Sequence, residues 1–208
     1  LILSRTASNK RLFVLWVDLR TAFPSLSRPI LIQRMFTCGL GIGLCRMMLA
    51  IFDATESVVC IGKLVSKSFK EILGVRECAV ESPHAFNTYI SSLRSHLEAS
   101  HPRLCRLLGV TIAILLYADD ATLPADSAED LQLLASLFEK ICNLHRLFIA
   151  TPKTFVTVFH PSSDQGVVYE GDCVYIDGVK LEIFVYGSLI KAAQEFKYLG
   201  IVLDSTCS

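Results

Sequence analysis

An α+β layer, with strands of mixed pairing and helices on one face, is the fold this sequence predicts. Three observations lead there. Two apolar runs, 12–17 and 110–117, each end in aspartate, at Asp18 and at Asp119-Asp120. Two stretches, 82–99 and 127–147, open on a helix-start residue and carry apolar residues at helical spacing. Asp177-Gly178, set between two apolar runs, is a strong hairpin signal. With 208 residues, 52% of them hydrophobic, the chain can bury a large core.

The elements follow in order. Residues 11–18 read as a strand, because β-branched and large apolar side chains favour a pleated, buried backbone. Residues 27–52 have roughly helical spacing interrupted at Gly39, Gly41 and Gly43, which predicts two helices rather than one. Segments 56–62 and 67–72 form a hairpin around Gly62-Lys63. Ser82 is a natural N-cap and Pro83 suits the first helical position, so a helix runs to about Ala99. The run 110–117 predicts a buried strand, and 121–125 a short return strand with Pro124 near its end. Ser127 caps a helix to about Leu147, with Leu131, Leu134, Leu137, Phe138 and Ile141 on one face. A strand at 154–159, a polar loop of weakest order at 160–170 and a last strand at 196–203 complete the layer.

Asp119 and Asp120 stand side by side directly behind an apolar run, at the tip of the expected hairpin. Neighbouring carboxylates repel, and a hard divalent cation such as Mg²⁺ relieves that repulsion. A simple polar turn is the alternative, since aspartate also favours turns. Asp18 has its own plain reading as a turn or helix-cap residue. If the two strands are neighbours, however, Asp18 and Asp119 can share a metal pair suited to in-line phosphoryl transfer.

Five segments in one order resemble the palm of a reverse transcriptase of the type carried by non-LTR retrotransposons. VDLRTAF (17–23) is similar to the first catalytic motif, an aspartate followed five positions later by an aromatic. GVRECAVESPHAFNTYI (74–90) resembles the second, YADD (117–120) the third, the Lys-Thr pair of TPKTFVTVF (151–159) the fourth and FKYLG (196–200) the fifth. The resemblance implies a polymerase palm, a ferredoxin-like mixed sheet with C-terminal β-hairpins, spanning 1–208. It also implies RNA-directed DNA synthesis with an RNA template, a DNA primer and deoxynucleoside triphosphates as partners. Asp18 and Asp119 would be the principal ligands of two Mg²⁺ ions, with Mn²⁺ as a substitute, and Asp120 a supporting carboxylate. Lys153 would lie near the triphosphate as a catalytic cation. Leu19, Phe23, Gly74, Ser82 and Pro83 would contact the nucleotide or template, Phe23 by clashing with a ribose 2′-hydroxyl. Phe196, Lys197, Tyr198, Leu199 and Gly200 would grip the primer end. The chain departs from the family pattern at Glu77-Cys78, where Gln-Gly is usual, and at Arg146 and Ala150, which replace Gly and Asn.

Twenty basic and twenty acidic residues give a formal net charge of +0. Strong nucleic-acid binding needs clustered cations, so the resemblance implies that most of the basic fingers and the thumb are missing and that the sequence is cut at both ends. Leu at position 1 agrees with a piece of a longer product. Eight cysteines form no CxxC pair, which predicts no zinc and a reducing compartment, nucleus or cytoplasm. The apolar runs are too short or too interrupted for a membrane span. Two further readings stay open: a catalytically inactive palm remnant with weak or no nucleic-acid binding, and an RNA-copying RNA polymerase, which Phe23 and YADD disfavour.

Overall fold

A computed structural model describes residues 1–76, 79–100 and 103–206. The chain forms two compact units. The first comprises Leu1–Arg20, Leu93–Asn143 and Phe148–Ser208, the second Thr21–Ser92 and Leu144–Leu147.

The first unit is built on five strands: β1 (Leu12–Asp18), β2 (Leu115–Tyr117), β3 (Asp120–Ala125), β4 (Phe155–Phe159) and β5 (Lys191–Ala192). Their order is β5-β4-β1-β3-β2. β1 is antiparallel to both β4 and β3, and β5 runs parallel to β4, so the pairing is mixed as expected. Leu12 through Val17 are all buried, and their alternation serves both faces of the central strand. Leu12, Val14 and Trp16 cluster with Cys105 and Phe159, covered by Leu1, Ile2, Phe196, Tyr198 and Leu203. Ile2 belongs to α1 (Ile2–Ala7), an element no sequence signal announced. Each fully buried large side chain of β1 contributes roughly 1.5–3 kcal/mol.

Several expectations shift. The run 110–117 is not one buried strand. Val110–Ile112 pairs with Cys105–Leu107 around a turn in which Leu108 and Gly109 both have positive φ, and β2 pairs only with β3. As the edge of the sheet β2 has one neighbour, and Leu115 and Tyr117 are exposed. The expected short return strand is present as β3, buried and next to the centre of the sheet. Pro124 is tolerated there because β2 pairs no further than Thr122, so at Pro124 only β1 is hydrogen-bonded alongside.

Residues 160–170 are also better ordered than their polarity suggests. Val167–Glu170 is a strand paired with Cys173–Ile176, which turns at Asp177-Gly178 (φ +51° and +83°) into Val179–Lys180. The Arg11 guanidinium donates to both Asp164 and Asp177 at 2.6 Å and holds the Asp164 carboxyl down at about 2. A Cβ on Gly166 would meet Asp177 Oδ1 at 2.1 Å and Arg11 Nη2 at 2.5 Å, so a larger residue there would have to push these side-chain ends aside. The last expected strand, 196–203, is a hairpin of Glu195–Tyr198 and Ile201–Asp204 around Leu199-Gly200. α6 (Ala128–Leu144) is capped by Ser127, whose Oγ accepts from the Asp130 N–H at 3.1 Å. It stops three residues early, and Arg146 takes the left-handed φ of +54° where the family pattern has Gly.

In the second unit, α3 (Arg28–Thr37) and α4 (Ile42–Asp53) are the two expected helices, following the short α2 (Ala22–Ser25). The expected hairpin is a ribbon of two short pairings, Glu56–Ser57 with Phe69–Lys70 and Cys60–Ile61 with Leu64–Val65. Buried Arg28 donates to the carbonyls of Gly74, Phe52 and Glu71 and so ties α3 to the stretch before the second motif. α5 (Ser82–Ser100) starts in this unit. The Ala85 N–H donates to the Glu81 carbonyl, which makes Ser82 the first helical residue rather than the cap. Among the described residues, no helix is long and apolar enough to cross a membrane.

Candidate active site

The site grows from the end of β1. Asp18 is the ladder partner of Asp120, the first residue of β3. Tyr117 also pairs with Asp120, so Ala118-Asp119 is a two-residue turn, and Asp119 and Asp120 stand at the same rim of the sheet as Asp18. Ala118 has φ +51°, a conformation that costs an L-residue roughly 1–2 kcal/mol. Such strain persists where the surrounding structure enforces it, as functional turns do.

On the other flank the chain keeps pairing past the strand. The Ala150 N–H donates to the Asp18 carbonyl at 2.8 Å, Leu19 bridges Ile149, and the Arg20 N–H donates to Phe148 at 2.7 Å. That pairing sets the short turn Thr151–Lys153 beside Asp18, and Lys153 Nζ lies 3.8 Å from Asp18 Oδ2. Lys153 is exposed and Asp18 half-buried. Burial raises the Asp18 carboxyl above its ordinary value, Lys153 pulls it back, and Asp119 raises it again. Asp120 is raised by burial and then by repulsion from Asp119 and Asp18.

A cavity of about 80 Å³ joins these groups to the C-terminal hairpin. Asp18, Asp120, Thr122 and Lys153 line it together with Trp16, Phe196 and Tyr198. Phe196 stacks on Trp16 with ring centres 4.7 Å apart, and Tyr198 lies tilted at 5.1 Å. The alternation of the hairpin turns Phe196 and Tyr198 inward and leaves Lys197, Leu199 and Gly200 exposed. Leu19 is 2% exposed and bridges Ile149, so the structure buries it in the core rather than leaving it open to a ligand.

Phe23, Gly74, Ser82 and Pro83 fall in the second unit. Phe23 stacks on Phe86 at 4.7 Å, and its carbonyl accepts from the Val75 N–H. Gly74 has φ +75°, and a Cβ there would come 2.4 Å from the Pro24 carbonyl oxygen, so no other residue fits. Among the described residues, buried Ser82 Oγ has no hydrogen-bond partner, and Pro83 is exposed. Glu77-Cys78 lies outside the described residues.

The donor set suits a hard divalent cation. Clustered carboxylates repel one another, the neighbouring cation is solvent-exposed, and the buried Thr122 hydroxyl beside them has no partner among the described residues. Among the described residues no three His, Cys, Asp or Glu side chains form a ready cage. Sequence reasoning passed over Trp16 and Thr157. The available signal was the strand period, which puts Trp16 on the same face as Asp18.

A family model described as reverse transcriptase (RNA-dependent DNA polymerase) matches residues 3–203. The retrovirus-related Pol polyprotein from type-1 retrotransposable element R2 of Popillia japonica is 26% identical over 205 residues, which cover 97% of this chain and 32% of that protein. The chain thus spans about a third of the length of this curated relative. Among solved structures, apo telomerase from Candida tropicalis, truncated from its C-terminal domain, aligns with a TM-score of 0.56 at 11% identity over 86% of this chain and 36% of that one. Telomerase from Candida albicans in complex with a TWJ fragment of telomeric RNA aligns with a TM-score of 0.55 at 13% identity over 86% and 32%. These two structures share the fold.

Proposed function

The chain belongs to the reverse transcriptase (RNA-dependent DNA polymerase) family, and from that premise we propose that 1–208 is the palm of a retrotransposon polymerase that extends a DNA primer along an RNA template. One observation supports it above the others: Asp18 and Asp120, from distant parts of the chain, are ladder partners beside Asp119 and Lys153. Asp18 and Asp119 would hold two Mg²⁺ or Mn²⁺ ions, with Asp120 in support. Bound there, these ions supply Lewis-acid stabilisation of charge on the reacting phosphate and the attacking 3′-oxygen.

The chain's own residues do the rest. Asp18, fixed by backbone bonds on both flanks, sets the depth at which the reacting groups sit. Lys153 is an exposed cation beside the carboxylates, able to neutralise or protonate departing pyrophosphate. The hairpin 195–204 supports the primer end, with Phe196 and Tyr198 as its inner surface. Phe23 limits the sugar to deoxyribose, and Gly74, Ser82 and Pro83 shape the nucleotide and template side. Base pairing supplies the choice of nucleotide, so no base-reading side chain is required.

Primer extension on an RNA template, with a polypeptide containing this chain and its Asp119→Asn variant, tests the reading. Extension in Mg²⁺ or Mn²⁺ should fall about a hundredfold or more in the variant, the scale of removing a preorganised electrostatic partner. A folded parent that incorporates no deoxynucleotide in either metal would leave an inactive palm remnant as the correct description.

A further inference from the structure

We infer that Trp16 is a positioning residue that couples the hairpin 195–204 to the carboxylate-bearing end of β1. The inference rests on the primer-extending reading above. The hairpin is a two-stranded sheet of its own and shares no ladder with the five-stranded sheet. An isolated two-stranded ribbon is marginal in water, so its placement over Asp18 has to come from side chains and tethers. Trp16 supplies both. It is 4% exposed, two residues before Asp18 on the same face of β1. Its ring is stacked against Phe196 and tilted against Tyr198, the two inward residues of the hairpin's first strand.

Its indole N–H donates to Thr157 Oγ1 at 3.0 Å. That hydroxyl in turn donates to the Ala193 carbonyl at 2.8 Å, and the Ala193 N–H donates to Val156 at 2.9 Å. Ala193 lies just before the hairpin, so its approach is fixed through both its carbonyl and its N–H. A second tether joins the far strand, where His160 N–H donates to the Ser205 carbonyl at 3.0 Å. Thr157 is fully buried, and its hydroxyl has a use only as this relay. Ordering a loosely held hairpin at the moment of binding costs affinity, so the aromatic contacts, the hydroxyl relay and the Ser205 tether together set how tightly the primer end is held.

Trp16 is also the chain's only tryptophan, so tryptophan emission reports on the surroundings of this one residue. The test combines two readouts. In primer extension, Thr157→Val and Trp16→Leu should raise the KM for primer–template about tenfold, the worth of one aromatic or hydrogen-bonded contact. kcat at saturating primer should stay within about twofold, and Trp16→Phe, which keeps a ring, should recover most of the loss. A role in stability alone would lower kcat through the folded fraction and leave KM unmoved, which would overturn the inference. In the second readout, an RNA–DNA primer–template duplex is titrated into the 208-residue chain while Trp16 emission is followed. The emission should change on binding, and Thr157→Val should weaken that binding by the same factor. If the parent makes no DNA, the functional reading fails, and the titration still decides this point: an emission that ignores the duplex refutes it, and a response weakened by Thr157→Val sustains it.

Discussion

Two apolar runs lead into aspartates in this chain, and the fold treats them in opposite ways. In 12–17 every residue is buried, and the strand is paired on both sides. In 110–117 the run breaks into two short strands, with Leu115 46% and Tyr117 62% exposed at the sheet edge. The compositions are alike, so apolar content does not decide burial here. Position in the sheet does: β1 has neighbours on both sides and β2 has one. The consequence for chemistry is a division of labour. Asp18 is delivered by a buried strand paired on both sides, whereas Asp119 lies in, and Asp120 directly follows, a tight turn containing a strained Ala118.

The largest expected effect separates the two runs directly. Leu15→Ala, at a fully buried position, should cost roughly 2–5 kcal/mol, and Leu115→Ala less than about 0.5 kcal/mol. Urea unfolding followed by far-UV circular dichroism measures both; similar losses would mean that β2 is buried after all. A smaller effect tests the strained turn. Ala118→Gly should stabilise by about 0.5 kcal/mol, because relief of a left-handed alanine (roughly 1–2 kcal/mol) outweighs the added chain entropy of glycine (roughly 0.5–1 kcal/mol). No change or a loss would mean that the turn is unstrained.

The smallest effect is a pH slope. The carboxyls of Asp18 and Asp120 are both raised in the folded chain. Between their ordinary values and the raised ones the folded state binds more protons than the unfolded state. Stability contributed by these groups therefore falls as pH rises through that window, and the penalty persists above it. The Arg11-bound carboxyl of Asp164 acts in the opposite sense, its contribution being lost as pH falls toward about 2. The difference between parent and Asp120→Asn isolates the site. In EDTA the variant should be the more stable at neutral pH, with the gap closing below the ordinary carboxylate range. A variant less stable at neutral pH would show that the carboxylates are not in mutual repulsion.

Much of the site was legible in the sequence because its parts are local. Asp18 at a strand end, the Asp119-Asp120 turn, Lys153 before a strand and a hairpin signal each declare themselves within a few residues. Two strand ends meeting was a conditional expectation, and the ladder pairing of Asp18 with Asp120 fulfils the condition. What stayed hidden depends on contacts between distant residues. The relay from Trp16 to Thr157 spans 141 positions, and the Arg11 clamp on Asp164 spans 153. No periodicity encodes either. The edge status of β2 was equally invisible, because an apolar edge strand and an apolar central strand read alike. The polar stretch 160–170 was misjudged for the same reason, since its order comes from an arginine near the start of the chain.

The central claim is that two strand ends far apart in sequence act as one site. The most direct measurement is a double-mutant cycle on single-turnover nucleotide incorporation, with Asp18→Asn, Asp119→Asn and the double variant in a polypeptide containing this chain. Residues that act as a unit lose most of their effect with the first substitution. The double variant should therefore be about as slow as either single variant. Losses that multiply, with the double variant slower by the product of the two single effects, would mean that the carboxylates act independently and that the ladder pairing of Asp18 with Asp120 does not build a common catalytic centre.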